Sequence, residues 1–273
     1  MREPLPITVL GAEGWIGAAL VADLKRCQRP VVAIGRLQLQ DWLADCQAQG
    51  PVIYAIGLTA DFRLRPYDTV QAHVSLLSQV LQREGIKQLL YLSSTRVYAR
   101  SASTHEDSPL VCLSSDSSDL YNLSKLLGEA LVLHDQRIGC RVVRLSNVVG
   151  PGQPSSTFIG SLLRDARSGS LVTIQQSAGA AKDYVALADV LRLLPLIAEA
   201  GRHRLYNLGG GCDTSHAQVA AWLRAQGSEV EFALPPAEGL AFPKLEIDRL
   251  CSEFGSVSEP FRQNLLMDDS LLR

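Results

Sequence analysis

Short runs of apolar and β-branched residues alternate with segments of helical periodicity along the first half of the chain. Most of these runs are continuously apolar, which is typical of parallel strands that are buried on both faces. Parallel strands joined by helices require right-handed crossovers and produce a doubly wound α/β fold. The sequence therefore predicts a parallel sheet with helices on both sides. Strands are expected at residues 7–10, 31–34, 52–56, 88–92 and 141–145, and helices at residues 15–27, 68–83 and 120–135.

Composition narrows the class of protein. The chain has 273 residues, of which 47% are hydrophobic and 20% are charged, so it is long and apolar enough to form a packed core. A formal net charge of −2 gives no electrostatic sign of nucleic-acid binding. No apolar run is long enough to predict a membrane span, and no signal peptide is expected. The six cysteines lack the spacing of a metal site, so we expect no metal and a reducing, cytoplasmic location.

A glycine-rich segment follows the first expected strand and opens the first expected helix, where residues 11–17 read GAEGWIG. Glycine permits positive φ and, without a Cβ, lets the backbone approach a diphosphate closely. The start of a helix adds free N–H groups and the positive end of the helix dipole. This strand–turn–helix context predicts a Rossmann-like dinucleotide site, rather than a glycine-rich turn without a ligand. The residues expected to hold the dinucleotide are Gly11, Gly14, Trp15, Ile16 and Gly17.

Arg36 follows the second expected strand. An acidic residue at this place would accept a hydrogen bond from the ribose 2′-hydroxyl of NAD, whereas arginine suits the 2′-phosphate of NADP. No acidic residue occurs between this strand and Asp41. We therefore expect NADP(H) as the cofactor, with NAD as the alternative. A solvent-exposed arginine without a ligand is the other interpretation of Arg36.

A second motif combines a serine, a tyrosine and a lysine. Tyr121 and Lys125 are spaced i, i+4 on an expected helix and therefore share one face. A phenol is a weak base at neutral pH, but a nearby cation lowers its pKa and favours the phenolate. Ser94 lies just after an expected strand, at the edge where doubly wound sheets bind ligands. These residues are the catalytic candidates, with Tyr121 moving a proton, Lys125 lowering the pKa of the phenol and Ser94 holding a substrate oxygen.

With these motifs in this order, the sequence resembles the extended short-chain dehydrogenase/reductases, the NAD(P)-dependent epimerase/dehydratase family that modifies nucleotide sugars. Further matching segments are AIG at 55–57, SSTRVY at 93–98, RLSNVVGP at 144–151, KDYV at 182–185 and YNLG at 206–209. The resemblance implies contacts with the cofactor at Ala55, Gly57, Tyr121 and Lys125, and contacts with the substrate at Asn147 and Lys182.

The sequence pattern changes in the second half of the chain: turn residues cluster from Gly150 onward, and the expected strands are shorter. We expect residues 1–150 to form the dinucleotide-binding domain, with its sheet completed by later segments. Residues 151–273 would form mostly a smaller C-terminal, substrate-binding lobe. The interval from Arg36 to Pro51 is shorter than is usual in the family. This indicates that the third strand of the fold is shortened or missing.

Two residues depart from the family pattern. Arg96 stands two positions after Ser94, where dehydratases of the family carry part of an acidic pair, and a guanidinium cannot replace a carboxylate as a base. We expect Arg96 to bind a phosphate or carboxylate of the substrate, with an outward-facing arginine as the alternative. His73 stands where the family commonly has asparagine. It is interpreted either as a polar contact that supports the site or as an ordinary helix histidine.

The resemblance favours an NADP(H)-dependent oxidoreductase or epimerase that acts at a carbinol or ketone carbon of a nucleotide-sugar-like small molecule. Two alternatives stay open: a non-catalytic protein that senses NAD(P), and a reductase of a non-sugar metabolite. The family commonly dimerises through the helices that correspond to residues 68–83 and 120–135, so a homodimer is expected. No nucleic-acid or membrane partner is expected.

Overall fold

The computed structural model describes residues 4–45, 48–58, 61–234, 242–258 and 261. Its strands are β1 (Ile7–Leu10), β2 (Val31–Ile34), β3 (Val52–Tyr54), β4 (Gln88–Ser94), β5 (Gly139–Leu145), β6 (Asn147–Val149), β7 (Val172–Ile174), β8 (Ala181–Ala186), β9 (Leu205–Leu208), β10 (Asp213–Ser215) and β11 (Val230–Phe232). Its helices are α1 (Trp15–Arg26), α2 (Leu39–Ala44), α3 (Pro66–Val70), α4 (Leu76–Leu81), α5 (Asp119–Leu133), α6 (Phe158–Arg167), α7 (Leu187–Ala200), α8 (His216–Ala225) and α9 (Asp248–Phe254). A π-helical turn spans Gln71–Ser75, and a 3₁₀ turn spans Thr95–Tyr98.

The central sheet of the described chain has six parallel strands in the order β2-β1-β3-β4-β5-β9. Apolar side chains from its two faces enter two clusters, one shared with α1 and α7 and the other with α2 and α4. The predicted doubly wound, Rossmann-like sheet is therefore confirmed. The chain changes direction at β1, whose neighbours are β2 on one side and β3 on the other. Such a switch opens a crevice at the carboxyl ends of β1 and β3.

β2 forms one edge of this sheet. No strand lies between β2 and β3 within residues 35–45 and 48–51, where the short helix α2 buries Leu39 and Leu43. Val32 on this edge strand is 38% exposed. For the described residues, the expectation of a shortened or missing third strand is confirmed.

The helix expected at residues 68–83 is less regular than its sequence pattern. α3, the π-helical turn and α4 form it in succession. A π-helical turn disturbs the regular ladder of backbone hydrogen bonds. Two buried phenols bond carbonyls of this turn: Tyr54 donates to the Ala72 carbonyl at 2.6 Å, and Tyr91 donates to the His73 carbonyl at 3.3 Å. Side chains of β3 and β4 therefore fix the turn that carries His73.

Segments after β5 build two smaller sheets. β8 pairs parallel with β6 and antiparallel with β10, while β7 and β11 pair parallel. α6 and α8 pack with these strands in a separate apolar cluster. α7 and β9 return to the central sheet. β6 precedes residue 150, but it pairs with β8, which follows that residue. The proposed domain division at residue 150 therefore stays a prediction. No described helix is both long and apolar enough to cross a membrane.

A buried ion pair connects α5 to β5. The side chains of Arg144 and Glu129 are 4% and 3% exposed, and Nη2 of the arginine lies 2.7 Å from Oε2 of the glutamate. Ser93 donates a hydrogen bond to Glu129 Oε1 at 2.5 Å, so the carboxylate also joins α5 to β4. Nη1 of Arg144 donates to the hydroxyl of Tyr98 at 2.7 Å. This network fixes α5 against the carboxyl ends of two strands.

Replacing Glu129 with glutamine is expected to destabilise the protein by about 3–5 kcal/mol, because Arg144 would keep a buried charge without a counter-charge. The free energy of unfolding in urea measures the effect. The control is Asp68→Asn, which removes an exposed partner of Arg65 and should leave that free energy nearly unchanged. Equal losses in the two variants would contradict the structural role of the buried pair.

Candidate active site

The loop between β1 and α1 fits a diphosphate. Gly11 has φ of 85°, and a Cβ there would lie 3.0 Å from backbone atoms of Ala55 and Ile56. Gly17 lies so close to the loop that its Cβ would be 2.2 Å from the Gly11 carbonyl oxygen. Glycine at these two positions therefore allows the loop, α1 and the end of β3 to meet without side chains between them. The result is a cradle of backbone groups at the crevice of the sheet.

The start of α1 adds donors to this cradle. α1 begins at Trp15, and its N-cap residue Gly14 has no side chain that could bond the N–H groups of the first turn. Uncapped N–H groups and the helix dipole favour an anion at this end. Trp15 Nε1 donates to the carbonyl of Pro151 at 3.1 Å, which connects the loop to the segment after β6. The cradle therefore fits the diphosphate of a dinucleotide cofactor.

A cavity of about 510 Å³ opens at the carboxyl ends of β4 and β5, between the central sheet and the smaller sheets. It brings together many of the residues that the sequence assigned to a site. The sequence-predicted residues in its lining are Trp15, Ile16, Ser94, Arg96, Tyr121, Asn147 and Lys182. The lining also contains Phe158 and Asp183, which the sequence analysis did not assign. Ala55, Gly57 and Lys125 are not among the lining residues.

Ser94 and Tyr121 come from different elements. Ser94 ends β4, and its Oγ accepts a hydrogen bond from the Arg96 N–H at 3.2 Å, which caps the 3₁₀ turn. Tyr121 lies in the first turn of α5 and is 4% exposed. Burial raises the pKa of Tyr121, whereas hydrogen bonding with Ser94 and the charge of Arg96 act to lower it. The phenol is therefore protonated at neutral pH and can donate a proton.

Lys125 lies one turn beyond Tyr121 on α5. Its Nζ donates to the carbonyl of Leu92 at 2.8 Å and lies 5.9 Å from the centre of the Tyr121 ring. Burial lowers the pKa of Lys125 to about 7, and the charge of Glu129 acts in the opposite direction. A Cβ on Gly57 would lie 3.6 Å from Nζ, so the chain after β3 passes beside the amine. Lys125 is thus enclosed on the buried side of the phenol.

His73 is fully buried beside these two residues. Its Nε2 accepts a hydrogen bond from the Leu58 N–H at 3.2 Å, so its Nδ1 carries the proton that faces Ser124 Oγ at 2.8 Å. The ring meets that of Tyr121 edge-on, with 5.3 Å between ring centres. Burial and the charge of Lys125 lower the pKa of His73 to about 2, so the ring is neutral. This geometry agrees with the interpretation of His73 as a polar contact that supports the site.

Arg96 points into the cavity, so the outward-facing alternative does not describe it. Its Cζ lies 5.1 Å from the centre of the Phe62 ring and 5.8 Å from that of Tyr121. Nη2 reaches the carbonyl of Ser118 only at 3.5 Å. Nε is buried and has no hydrogen-bond partner among the described residues. The guanidinium is therefore held mainly by aromatic rings, which contact its faces.

Lys182 and Asn147 occupy neighbouring strands on the other wall. Lys182 lies on β8, and its Nζ is 4.9 Å from the centre of the Phe158 ring. Burial lowers the pKa of Lys182, and the charge of Arg96 adds to this effect. Asn147 starts β6 and donates from Nδ2 to the carbonyl of Asp183 at 2.9 Å. Both polar side chains therefore line the cavity from the smaller sheet.

Asp183 is a buried carboxylate that the sequence analysis did not assign. It accepts hydrogen bonds from the N–H groups of Gly210 at 2.9 Å and Cys212 at 3.2 Å. Burial raises the pKa of Asp183 to about 6, against the effect of these bonds. These hydrogen bonds hold the turn after β9 in place. Its position in the KDYV segment was the signal that could have identified it.

Arg36 lies outside the cavity, at the carboxyl end of β2, and is exposed. Its backbone N–H donates to Oε2 of Glu13 at 3.1 Å. The Glu13 carboxyl group lies against Gly35, where an added Cβ would be 2.6 Å away. An acid from the glycine loop therefore stands at the end of β2, where the sequence showed none on the strand itself.

Comparison with known proteins agrees with this geometry. The sequence profile of the NAD dependent epimerase/dehydratase family matches residues 7–209. The chain belongs to this family. It is therefore an enzyme of the NAD(P)-dependent epimerase, dehydratase or reductase type, and the resemblance inferred from the motifs is confirmed.

Individual relatives are distant but extend over nearly the whole chain. A dTDP-4-dehydro-6-deoxy-D-allose reductase of Streptomyces bikiniensis is 26% identical over 95% of this chain and 93% of its own. MoeE5, solved with UDP-glucose and NAD, has a TM-score of 0.81 at 21% identity and covers 98% of both chains. RMD from Pseudomonas aeruginosa, solved with NADPH, has a TM-score of 0.77 at 24% identity, with coverage of 98% and 97%. The two solved structures share the fold.

His73→Asn is expected to flatten the pH dependence of stability below neutral pH. The unfolded histidine titrates near pH ~6.5, whereas the folded ring stays neutral down to a pKa of about 2. The stability due to the neutral ring is therefore complete above that unfolded pKa and is lost as the pH falls. At about pH 5 the loss amounts to about 2 kcal/mol, and asparagine has no such proton to bind.

Urea unfolding at neutral and mildly acidic pH measures this difference. The matched control is His134→Asn, which changes an exposed histidine and should keep the wild-type dependence on pH. If His73→Asn also kept the wild-type dependence, a neutral His73 in the folded protein would be ruled out.

Proposed function

We propose that this enzyme interconverts a carbinol and a ketone at a ring carbon of a nucleotide sugar, with NADP(H) as its cofactor. The observation that carries the proposal is that Ser94 and Tyr121 line one cavity beside the glycine cradle, with Lys125 enclosed behind the phenol. When bound, the nicotinamide cofactor supplies or accepts a hydride. The protein has to hold the substrate oxygen and move its proton.

Ser94 and Tyr121 divide this work. The Ser94 hydroxyl holds the carbonyl oxygen by a hydrogen bond, and Tyr121 donates a proton to that oxygen during reduction or takes one during oxidation. The raised pKa of Tyr121 favours the proton-donating form. Lys125, with a pKa of about 7, is partly charged at neutral pH and can release or accept a proton on the buried side. The same amine would contact the cofactor ribose, as the resemblance implies.

The residues after Ser94 argue against dehydration. Thr95 and Arg96 provide no carboxylate, and the carboxylate in the described lining, Asp183, is engaged by backbone N–H groups. Interconversion of a carbinol and a ketone needs no acid–base group besides Tyr121. Epimerisation through a transient ketone is the second candidate, because it also needs no further base.

A nucleotide sugar is the substrate class that the relatives support. The curated relatives carry the name of a dTDP-sugar reductase, and MoeE5 was solved with UDP-glucose. At 26% identity the relatives support the class of substrate rather than its ring substituents. A non-sugar ketone as substrate and a non-catalytic sensor of NAD(P) are the alternatives, and both predict cofactor binding without turnover of a sugar nucleotide.

Tyr121→Phe is expected to lower kcat at least about 100-fold, because the variant has no proton to give to the substrate oxygen. The dissociation constant for the cofactor should stay within about threefold, since the glycine cradle is untouched. The assay follows the absorbance of reduced nicotinamide with UDP- and dTDP-linked sugars as substrates. Tyr67→Phe is the control, because Tyr67 is 88% exposed and should keep full activity.

Deuterium at the transferable position of the reduced cofactor separates the two reactions. Label that stays in the product indicates net reduction, whereas unlabelled product of inverted configuration indicates epimerisation. An authentic activity that Tyr121→Phe leaves intact would overturn the proposal. Cofactor binding without turnover of any sugar nucleotide would support the sensor or a non-sugar substrate instead.

Arg36 and Glu13 are proposed to set the choice of cofactor in opposite directions. Arg36 offers a cation for a 2′-phosphate, whereas the Glu13 carboxylate would repel it and accept a hydrogen bond from a 2′-hydroxyl. Arg36→Ala is expected to lower the preference for NADPH over NADH by about tenfold, and Glu13→Gln is expected to raise it by a similar factor. The ratio of kcat/KM for the two cofactors measures both. Changes in the same direction would contradict this assignment.

We also propose a homodimer. Leu123 and Leu127 on α5 are 37% and 51% exposed, which provides an apolar surface for a second copy. Leu77 and Val132, which lie on the helices expected to pair, are fully buried in the core of the chain itself. The contact between copies would therefore use the outward leucines of α5.

A further inference from the structure

Two cationic side chains line the cavity without an acidic partner among the described residues. Arg96 stacks on Phe62 and Tyr121, and Lys182 stacks on Phe158. Cation–π contacts hold a charge in place but leave its N–H donors available. The lining therefore presents two positively charged groups whose N–H donors can form hydrogen bonds with a ligand.

The donors of Arg96 are poorly satisfied. In the described part of the chain, the hydrogen bonding of its side chain consists of the 3.5 Å contact from Nη2 to the Ser118 carbonyl, and its buried Nε has no partner. Nearly all buried polar groups in proteins are hydrogen-bonded, so such a donor calls for an explanation. A carboxylate, which accepts paired N–H bonds from a guanidinium, would satisfy it.

Neighbouring acids are engaged elsewhere. Asp116 and Asp119 both pair with Arg100. Asp183 is bonded to backbone N–H groups of the turn after β9. The charges of Asp116 and Asp119 act on the guanidinium of Arg96, but no described acid forms an ion pair with it. The reacting end of the cavity therefore keeps a cation that can pair with a ligand.

We propose that Arg96 binds a carboxylate carried by the sugar ring next to the reacting carbon, so that the substrate is a nucleotide-linked uronic acid. This inference rests on the proposed function, because it takes Tyr121 to mark the reacting carbon. Lys182 then meets the diphosphate that links sugar and nucleoside. The two cations thereby recognise two separate anionic groups of one substrate.

The location of each cation decides which anion it meets. The guanidinium of Arg96 contacts the ring of Tyr121, so a group bound there lies close to the oxygen that receives the proton. Lys182 lies on β8 against Phe158 of α6, on the opposite wall. The diphosphate is attached at the anomeric carbon, away from the reacting end, and therefore corresponds to Lys182. An anion beside the reacting carbon has to be a substituent of the ring.

The test measures binding of matched sugar nucleotides that differ only at this substituent. UDP-glucuronic acid is compared with UDP-glucose, and the same acid and hydroxymethyl sugars are compared as dTDP derivatives. The wild-type protein is expected to bind the acid at least about tenfold more tightly in one of the pairs. Arg96→Gln should abolish that ratio, and Arg96→Lys, which keeps the charge but not the paired donors, should retain part of it.

Two further variants serve as controls. Lys182→Gln should weaken both members of a pair by the same factor, because both carry the diphosphate. Arg26→Gln should change neither, since Arg26 is exposed, pairs with Asp23 and does not line the cavity. Circular dichroism checks that each variant is folded.

Two outcomes would overturn the inference. One is the absence of a preference for the acid in both pairs. The other is an equal weakening of acid and neutral sugar by Arg96→Gln, which would assign Arg96 to the diphosphate. Turnover of the same sugar nucleotides by the wild-type protein, followed by the absorbance of reduced nicotinamide, separates these outcomes from failure of the proposed function. Turnover without a preference for the acid overturns only this inference, whereas a preference for the acid without any turnover overturns the proposed function.

Discussion

The buried pair of Arg144 and Glu129 determines the geometry of the site. α5 carries both Tyr121 and Lys125, and Glu129 lies further along the same helix. Its carboxylate accepts a hydrogen bond from Ser93, the direct neighbour of Ser94 on β4. A shift of α5 along the sheet would leave two buried charges without partners, which is strongly unfavourable. The distance between the phenol of α5 and the hydroxyl at the end of β4 is therefore fixed by the pair of Arg144 and Glu129, which does not line the cavity.

Local signals in the sequence explain why so much of the fold was predictable. β1 ends at Leu10 because Gly11 takes a positive φ, and α1 starts after Gly14, its extended N-cap residue. The central strands are continuously apolar because the sheet is covered on both faces. Once the strands are parallel, their carboxyl ends converge on one edge. That rule alone predicts that the glycine loop, Ser94 and the start of α5 are neighbours.

Features that depend on distant partners were not predictable in this way. The π-helical turn around His73 accepts hydrogen bonds from the hydroxyls of Tyr54 and Tyr91, which come from two different strands. The helical periodicity of residues 68–83 does not indicate these partners. Glu13 places an acid at the end of β2 from another loop, so a search along the strand cannot find it. Phe62 stacks on Arg96 from outside any regular element. In each case the signal is a contact between segments rather than a spacing within one.

The origin of the positive charge beside Tyr121 is a further difference between sequence and structure. The i, i+4 spacing suggests that Lys125 lowers the pKa of the phenol. In the folded protein burial lowers the pKa of Lys125 itself to about 7, whereas the guanidinium of Arg96 keeps its charge and acts directly on Tyr121. The cation that tunes the phenol thus lies on the substrate side. An anionic ligand at Arg96 would offset this charge and raise the pKa of Tyr121 further. Binding of the substrate would then favour the protonated phenol, which is the form that reduction of a ketone requires.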